Sequence, residues 1–366
     1  FLLPVSAPRS CPDASENSRA GAFRAMSSPM PQPNMKAGPP TNSEIVRWAG
    51  ATIVAVALAY FFTDTFISPI RGCTEVPSCQ EEFDKVKGLT SLNGYALCGL
   101  LTALVLEAVS LHFSYESARP VLGLINGLDN TFMPPVLLCI TLFVLVLENL
   151  VFVCSASPWA VAASVDGAPV YTSIYCEWLV NVPILLVLAG NCALDRPSGE
   201  ISRPLLVTNI YIVFAWTAHF IPSPFLRWTL VGVTFFMYGW ASKDMVKWAS
   251  SFREDVDPDV SGSHLRYASA LGLIAIFGAY GIVYLSRLVG ALTSYEEKVW
   301  YLCMNIGSKL IMLMLFGGIR SSRYHDLIVN MLVNTHFSFR RQVAVMDAPD
   351  GNGEQAMYKQ LIEEGG

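Results

Sequence analysis

Eight stretches of this sequence, 45–68, 92–115, 132–154, 170–193, 204–221, 225–247, 265–290 and 299–319, are apolar almost throughout. Each is roughly 18–26 residues long, the length a helix needs to cross a hydrocarbon core. A backbone in lipid has no water to bond, so segments of this length and character are helices. The expected fold class is an all-α membrane protein. Composition agrees: 53% of the residues are hydrophobic and 14% charged, against about 25% charged in soluble domains. The net charge of −5 comes with no basic stripe, so the expected partner is the lipid bilayer and no nucleic acid. The run at 204–221 is the weakest of the eight, since only Pro222-Ser223-Pro224 parts it from the next.

Residues 1–44 are rich in Pro, Ser, Ala and Met and lack periodicity, which predicts a disordered tail. Lys and Arg concentrate in that tail and in 116–130, 195–203, 243–266 and the stretch after 319. The alternate loops, 69–91, 155–169, 222–224 and 291–298, hold Arg71, Lys85, Lys87 and Lys298, balanced by acids such as Glu296 and Glu297. This asymmetry places both termini in the cytoplasm, with eight crossings between them. Cys73 and Cys79 then share an outward loop, where an oxidising exterior allows a disulfide. Cys98, Cys139, Cys176 and Cys303 fall in apolar runs and are expected to be small packing residues. No CxxC pair or His-rich cluster marks a metal site.

The informative residues are the polar ones inside the runs. Lys309 lies near the middle of 299–319, where a lysine costs about 2.5–3.5 kcal/mol or more. Either it faces a watery cavity or a carboxylate, or its amine is consumed in a Schiff base with an aldehyde. Asn305 lies one turn earlier on the same face. Glu177 is buried in 170–193, and Lys309 is the lysine expected at comparable depth. A Glu177–Lys309 pair would answer both desolvation costs. Asn181 lies one turn deeper than Glu177, with Trp178 and Pro183 as local bulk and bend. Phe277, Tyr280 and Tyr284 fall at i, i+3 and i+7, one aromatic face. Such a face is ordinary packing or a slot for a long flat ligand. The same choice holds for Trp228, Phe235, Phe236 and Tyr238. Glu107 and Glu148 are either gating or proton-transfer groups, or are hydrogen-bonded to neighbours such as Asn149.

Taken together, Glu177-Trp178, Pro183, the Phe277/Tyr280/Tyr284 face and Asn305-x-x-x-Lys309 resemble the microbial (type I) rhodopsins. The resemblance covers 92–319 and implies a seven-helix bundle, here with one extra N-terminal transmembrane helix at 45–68. It implies that Lys309 carries all-trans-retinal as a Schiff base and that Glu177 is the counterion. By it, Asn305 stands where the family usually has an aspartate, Trp178 and Pro183 form a pocket wall, and Phe277, Tyr280 and Tyr284 form the floor. Ile174 replaces the arginine usual one turn before the counterion, and Leu188 occupies the place of the proton donor of outward pumps. These departures favour a light-gated channel or a conformational signal over pumping.

Past residue 319 the sequence Arg320-Ser321-Ser322-Arg323-Tyr324-His325-Asp326-Leu327 continues with apolar residues near helical spacing. With the extra helix, it resembles the eight-helix enzyme rhodopsins, above all the sensor half of fungal rhodopsin–guanylyl cyclases. That resemblance implies that 320–366 is a cytoplasmic signalling helix opening a coiled-coil linker. Dimerisation would run through that helix to a cyclase domain outside this chain, which would itself have no enzymatic activity. The rival expectations are a light-gated ion channel and the sensor of a rhodopsin–phosphodiesterase.

Overall fold

The computed structural model describes residues 42–118, 132–154, 160–255 and 262–346. Of the tail expected over 1–44, residues 1–41 lie outside the described residues, as does the chain after 346, and residues 42–44 are helical instead. Helix α1, Asn42–Phe62, starts ahead of the expected residue 45 and runs on through a π-helical turn, Thr63–Ile67. The expected loop 69–91 is structured. A 3-10 turn at Cys73–Glu75 leads into helix α2, Pro77–Lys87. Cys79, Phe83 and Val86 of α2 are buried, spaced so that one helical face covers the bundle. Cys73 and Cys79 are joined by a disulfide.

The long helices follow: α3, Thr90–Ala118; α4, Met133–Cys154; α5, Thr172–Val187, prolonged by a π-helical turn at Leu188–Ala193; and α6, Ser198–Ala218. After them come α7, Pro224–Asp255; α8, Ser263–Leu288; and α9, Ser294–Met346. Between α4 and α5 a hairpin pairs β1, Ala162–Ala163, with β2, Pro169–Val170. Its turn needs Gly167: φ is 77°, and a Cβ there would sit 2.4 Å from Ser78 Oγ of α2.

Helices α3 to α9 each pack on the next, and α9 returns to α3 and α4, closing the bundle. The core runs through its centre, from Leu137 and Leu138 of α4 to Phe277 of α8 and Phe316 of α9. Helix α1 lies against α5 and α6. There Tyr60 stacks on Trp216 at 6.3 Å, and Asn209 donates to Thr52 Oγ1 at 3.4 Å. Outward faces carry large apolar side chains such as Phe61, Leu106, Phe113, Phe236 and Met314. Cys98, Cys176 and Cys303 lie on that outer surface.

Among the described residues, seven helices are long and apolar enough to cross a membrane, and the chain is an integral membrane protein. Helix α7 is outside that set, because Arg227, Trp228, Tyr238 and Trp240 dilute its apolar run. It packs between α6 and α8 all the same, and Arg227 is paired with Asp166 at 2.5 Å. The sequence pattern placed Lys298 in a polar loop. The structure corrects this: α9 begins at Ser294, so Glu297 and Lys298 lie inside the helix and are buried.

Candidate functional site

Lys309 of α9 and Glu177 of α5 meet in the middle of the bundle. Lys309 Nζ is 2.9 Å from Glu177 Oε1, and both side chains are almost wholly buried. Asn181, one turn after Glu177, donates its amide to Glu177 Oε1 at 2.5 Å and to the Thr141 carbonyl at 3.1 Å. The carboxylate is thus held between a cation and an amide that is tied to α4. Its second oxygen, Oε2, is buried without a hydrogen-bond partner among the described residues.

Asn305 lies one turn before Lys309. Its Oδ1 accepts from Trp178 Nε1 at 3.3 Å and from Tyr280 Oη at 2.5 Å, tying α9 to α5 and α8. Trp178 meets Tyr280 and Tyr301 edge-on, at 4.9 and 5.2 Å between centroids. An apolar cavity opens beside Lys309. Its walls are Trp178, Val182 and Leu185 of α5, Tyr211 and Ala215 of α6, Phe235 and Tyr238 of α7, and Phe277, Tyr280 and Tyr284 of α8. Two glycines let α8 approach α7 at this level. A Cβ at Gly278 would lie 2.8 Å from Tyr238 Oη, and one at Gly281 would lie 3.1 Å from Phe235.

Asn181, Asn305 and Pro183 are buried next to the cavity without forming its lining. Of the aromatics expected on 225–247, Phe235 and Tyr238 face the cavity. Trp228 and Phe236 are 45% and 71% exposed and face outward. Ile174 is buried at the place where the resemblance expects an arginine, and Leu188 begins the π-helical turn.

Toward the disulfide end of the bundle lies a second, polar cavity of about 220 Å³. Tyr175, His219, Arg227, Arg287, Glu297 and Tyr301 are among its walls. Tyr175 Oη is 3.0 Å from His219 Nε2, and Arg287 Nε is 3.4 Å from Glu297. His219 follows the last residue of α6. Burial, and then the charges of Arg287 and Arg227, push its pKa down to about 4, so it is neutral near pH 7.

No family model matches the chain, and no curated protein matches it in sequence. Solved structures do match it in shape. The transmembrane domain and linker region of a rhodopsin phosphodiesterase from Salpingoeca rosetta superposes with a TM-score of 0.60 at 14% identity, covering 80% of this chain and 98% of that one. The light-driven proton pump rhodopsin of Coccomyxa subellipsoidea gives 0.52 at 16% identity, over 63% and 95%. The proton-pumping rhodopsin of the marine alga Acetabularia acetabulum gives 0.51 at 16%, over 66% and 96%.

The fold is that of the microbial rhodopsins. Within this microbial-rhodopsin bundle, the structure brings together Lys309, Glu177, Asn181, Asn305, Trp178 and Tyr280. It also shows two ion pairs that sequence reasoning missed. Lys298 Nζ is 3.2 Å from Glu148 Oε1, and Arg320 Nη1 is 3.5 Å from Glu107 Oε1. Asn149, named as a partner for Glu148, instead donates to its own helix at Leu145. The available signal was that Lys298, Lys309 and Arg320 share one spacing.

Proposed function

We propose that this chain is a retinal-binding light sensor. The observation that carries the reading is the buried Lys309–Glu177 pair beside an aromatic-walled cavity, inside a bundle of microbial-rhodopsin fold. The residues fit retinal. Lys309 offers an amine for Schiff-base attachment, the cavity is apolar and lined by flat rings, and Glu177 supplies the negative charge a protonated attachment needs. When bound, retinal would supply visible absorption and a light-driven change of shape, from the all-trans form.

The chain's own residues do the rest. Glu177 balances the charge at Lys309 and is the group nearest to receive a proton. Asn181 fixes the carboxylate, and Asn305 locks Trp178 and Tyr280 around the attachment point. When the proton moves to Glu177, the attraction between α5 and α9 falls and α9 is free to shift. In this reading the chain crosses the membrane eight times with both termini cytoplasmic. Helix α9 carries the signal to a dimeric output domain, with a guanylyl cyclase favoured by the resemblance of 320–327. A phosphodiesterase output is the second reading, supported by the match to the Salpingoeca rosetta domain with its linker. The channel reading loses support, since Glu107 and Glu148 are each held by a cation.

The test is reconstitution with all-trans-retinal. The chain gains a visible band, Lys309→Ala lacks it, and Glu177→Gln moves it to longer wavelength because the positive end loses its counter-charge. A band that survives Lys309→Ala, or fails to form at all, overturns the reading.

A further inference from the structure

Lys298, Lys309 and Arg320 are spaced at eleven-residue intervals along α9. Eleven residues are close to three full turns, so the three cations form a stripe on one face, with about 16 Å between successive members. Each meets a carboxylate from a different helix of the bundle. Lys298 meets Glu148 of α4 at 3.2 Å, Lys309 meets Glu177 of α5 at 2.9 Å, and Arg320 meets Glu107 of α3 at 3.5 Å.

The first two pairs are buried and the third is partly exposed. Lys298 and Glu148 are 1% and 3% exposed, and the Lys298 ammonium also lies 4.2 Å from the centre of the Phe152 ring and 5.3 Å from that of Tyr171. The start of α9 is fastened further there. Tyr171 Oη donates to the Ser294 carbonyl, and the Ser294 hydroxyl sits between Arg287 and Glu82. Arg320 and Glu107 are 26% and 13% exposed, and the contacting Arg320 Nη1 meets no hydrogen-bond geometry. Beside Arg320 the start of α8 approaches α9 closely, at two glycines. A Cβ at Gly318 would lie 2.8 Å from Leu265, and one at Gly262 would lie 2.9 Å from Ser322 Oγ.

We propose that this stripe is a ladder in which Lys298–Glu148 is the fixed pivot of α9 and Arg320–Glu107 is a latch that holds α9 to α3 until the middle rung loosens. A desolvated pair clasped by two rings resists separation, while a longer, partly exposed pair without a formed hydrogen bond opens more readily. When the attraction between Lys309 and Glu177 falls, the displacement of α9 is directed away from the disulfide end. The latch is a positioning contact that touches no ligand. The inference rests on the light-sensor reading for what loosens the middle rung, but not for the latch itself.

The experiment measures distances between nitroxide labels on genetically encoded ketone residues, in the full 366-residue chain in nanodiscs. One pair sits at Phe113 and Ser321, the other at Ser91 and Tyr295, all exposed positions. In the dark, the wild-type 113–321 pair gives one narrow distribution. Illumination with retinal adds a longer component there and leaves 91–295 unchanged. Arg320→Gln, or Glu107→Gln if the first does not fold, shows the longer component in the dark. The exchanged pair Glu107→Arg with Arg320→Glu restores the narrow one. A dark distribution unchanged by either single substitution overturns the latch, whether or not a visible band forms. So does a lit wild type identical to the dark one, or motion at 91–295 as large as at 113–321. Absence of any visible band overturns the light-sensor reading instead, and the dark comparison still decides the latch.

Discussion

Asn181 donates to two acceptors on different helices, the Glu177 carboxylate and the Thr141 carbonyl. Turning the carboxylate away from Lys309 therefore means giving up a charge-assisted hydrogen bond, worth about 1.5–3 kcal/mol. Asn181→Ala should lower the thermal midpoint of the retinal-free chain in detergent by the equivalent of about 2 kcal/mol. After reconstitution it should broaden the visible band, because Glu177 would sample more than one position. A band as narrow as wild type would show that Asn181 does not orient the counter-charge. At this scale the sequence was readable where burial made a residue expensive. Lys309 and Glu177 stand in apolar runs, and each needs the other. The Trp178–Asn305 bond was not readable, since it depends on how α5 and α9 are rotated about their axes, which no spacing within one run reveals.

Helix α9 shows why a charged cluster can mislead. Glu296, Glu297 and Lys298 look like a solvated turn, yet the last two are buried, Lys298 against the rings of Phe152 and Tyr171 and Glu297 beside Arg287. Helix α2 had its own sequence signal, since Cys79, Phe83 and Val86 recur at helical spacing inside a segment taken for loop. Removing one partner of a buried pair leaves the other charge stranded, at a cost of about 3–5 kcal/mol, while replacing both costs far less. Lys298→Met and Glu148→Leu should each destabilise strongly, and the double variant should recover most of the loss. Thermal midpoints of the four proteins close this cycle. Additive losses would mean that the two charges do not act as a pair. The β1–β2 hairpin had its own trace in Asp166-Gly167, but two-residue strands are too short for periodicity to announce.

For the molecule as a whole, the apolar runs located each long helix, though α6 starts six residues before its run and α7 ends eight residues after, and the polar residues inside those runs located the cavity. Helix α7 is long and partly polar, and tertiary packing with Arg227–Asp166 neutralisation gives it a place its own composition does not. The polar cavity at the disulfide end gives the protein a pH dependence. His219 is half-buried and neutral near pH 7, with its pKa near 4 against the ordinary value near 6.5. The unfolded chain binds that proton first as pH falls, so the His219 contribution is complete above pH 6.5 and is lost between 6.5 and 4. The loss is on the order of 3 kcal/mol across that window. The gap in thermal midpoint between wild type and His219→Gln should narrow steadily over the same range. A gap that stays constant with pH would show that His219 is not what titrates. Helix α9 runs unbroken over 53 residues, which makes it a rod about 80 Å long. Pivoted near one tip, such a rod is a lever with a long output arm. A tilt of roughly 5° about Lys298 moves Lys309 by about 1.4 Å and carries Met346 sideways by about 6 Å, so a change of one ångström scale at an amine becomes a change that a folded domain can feel.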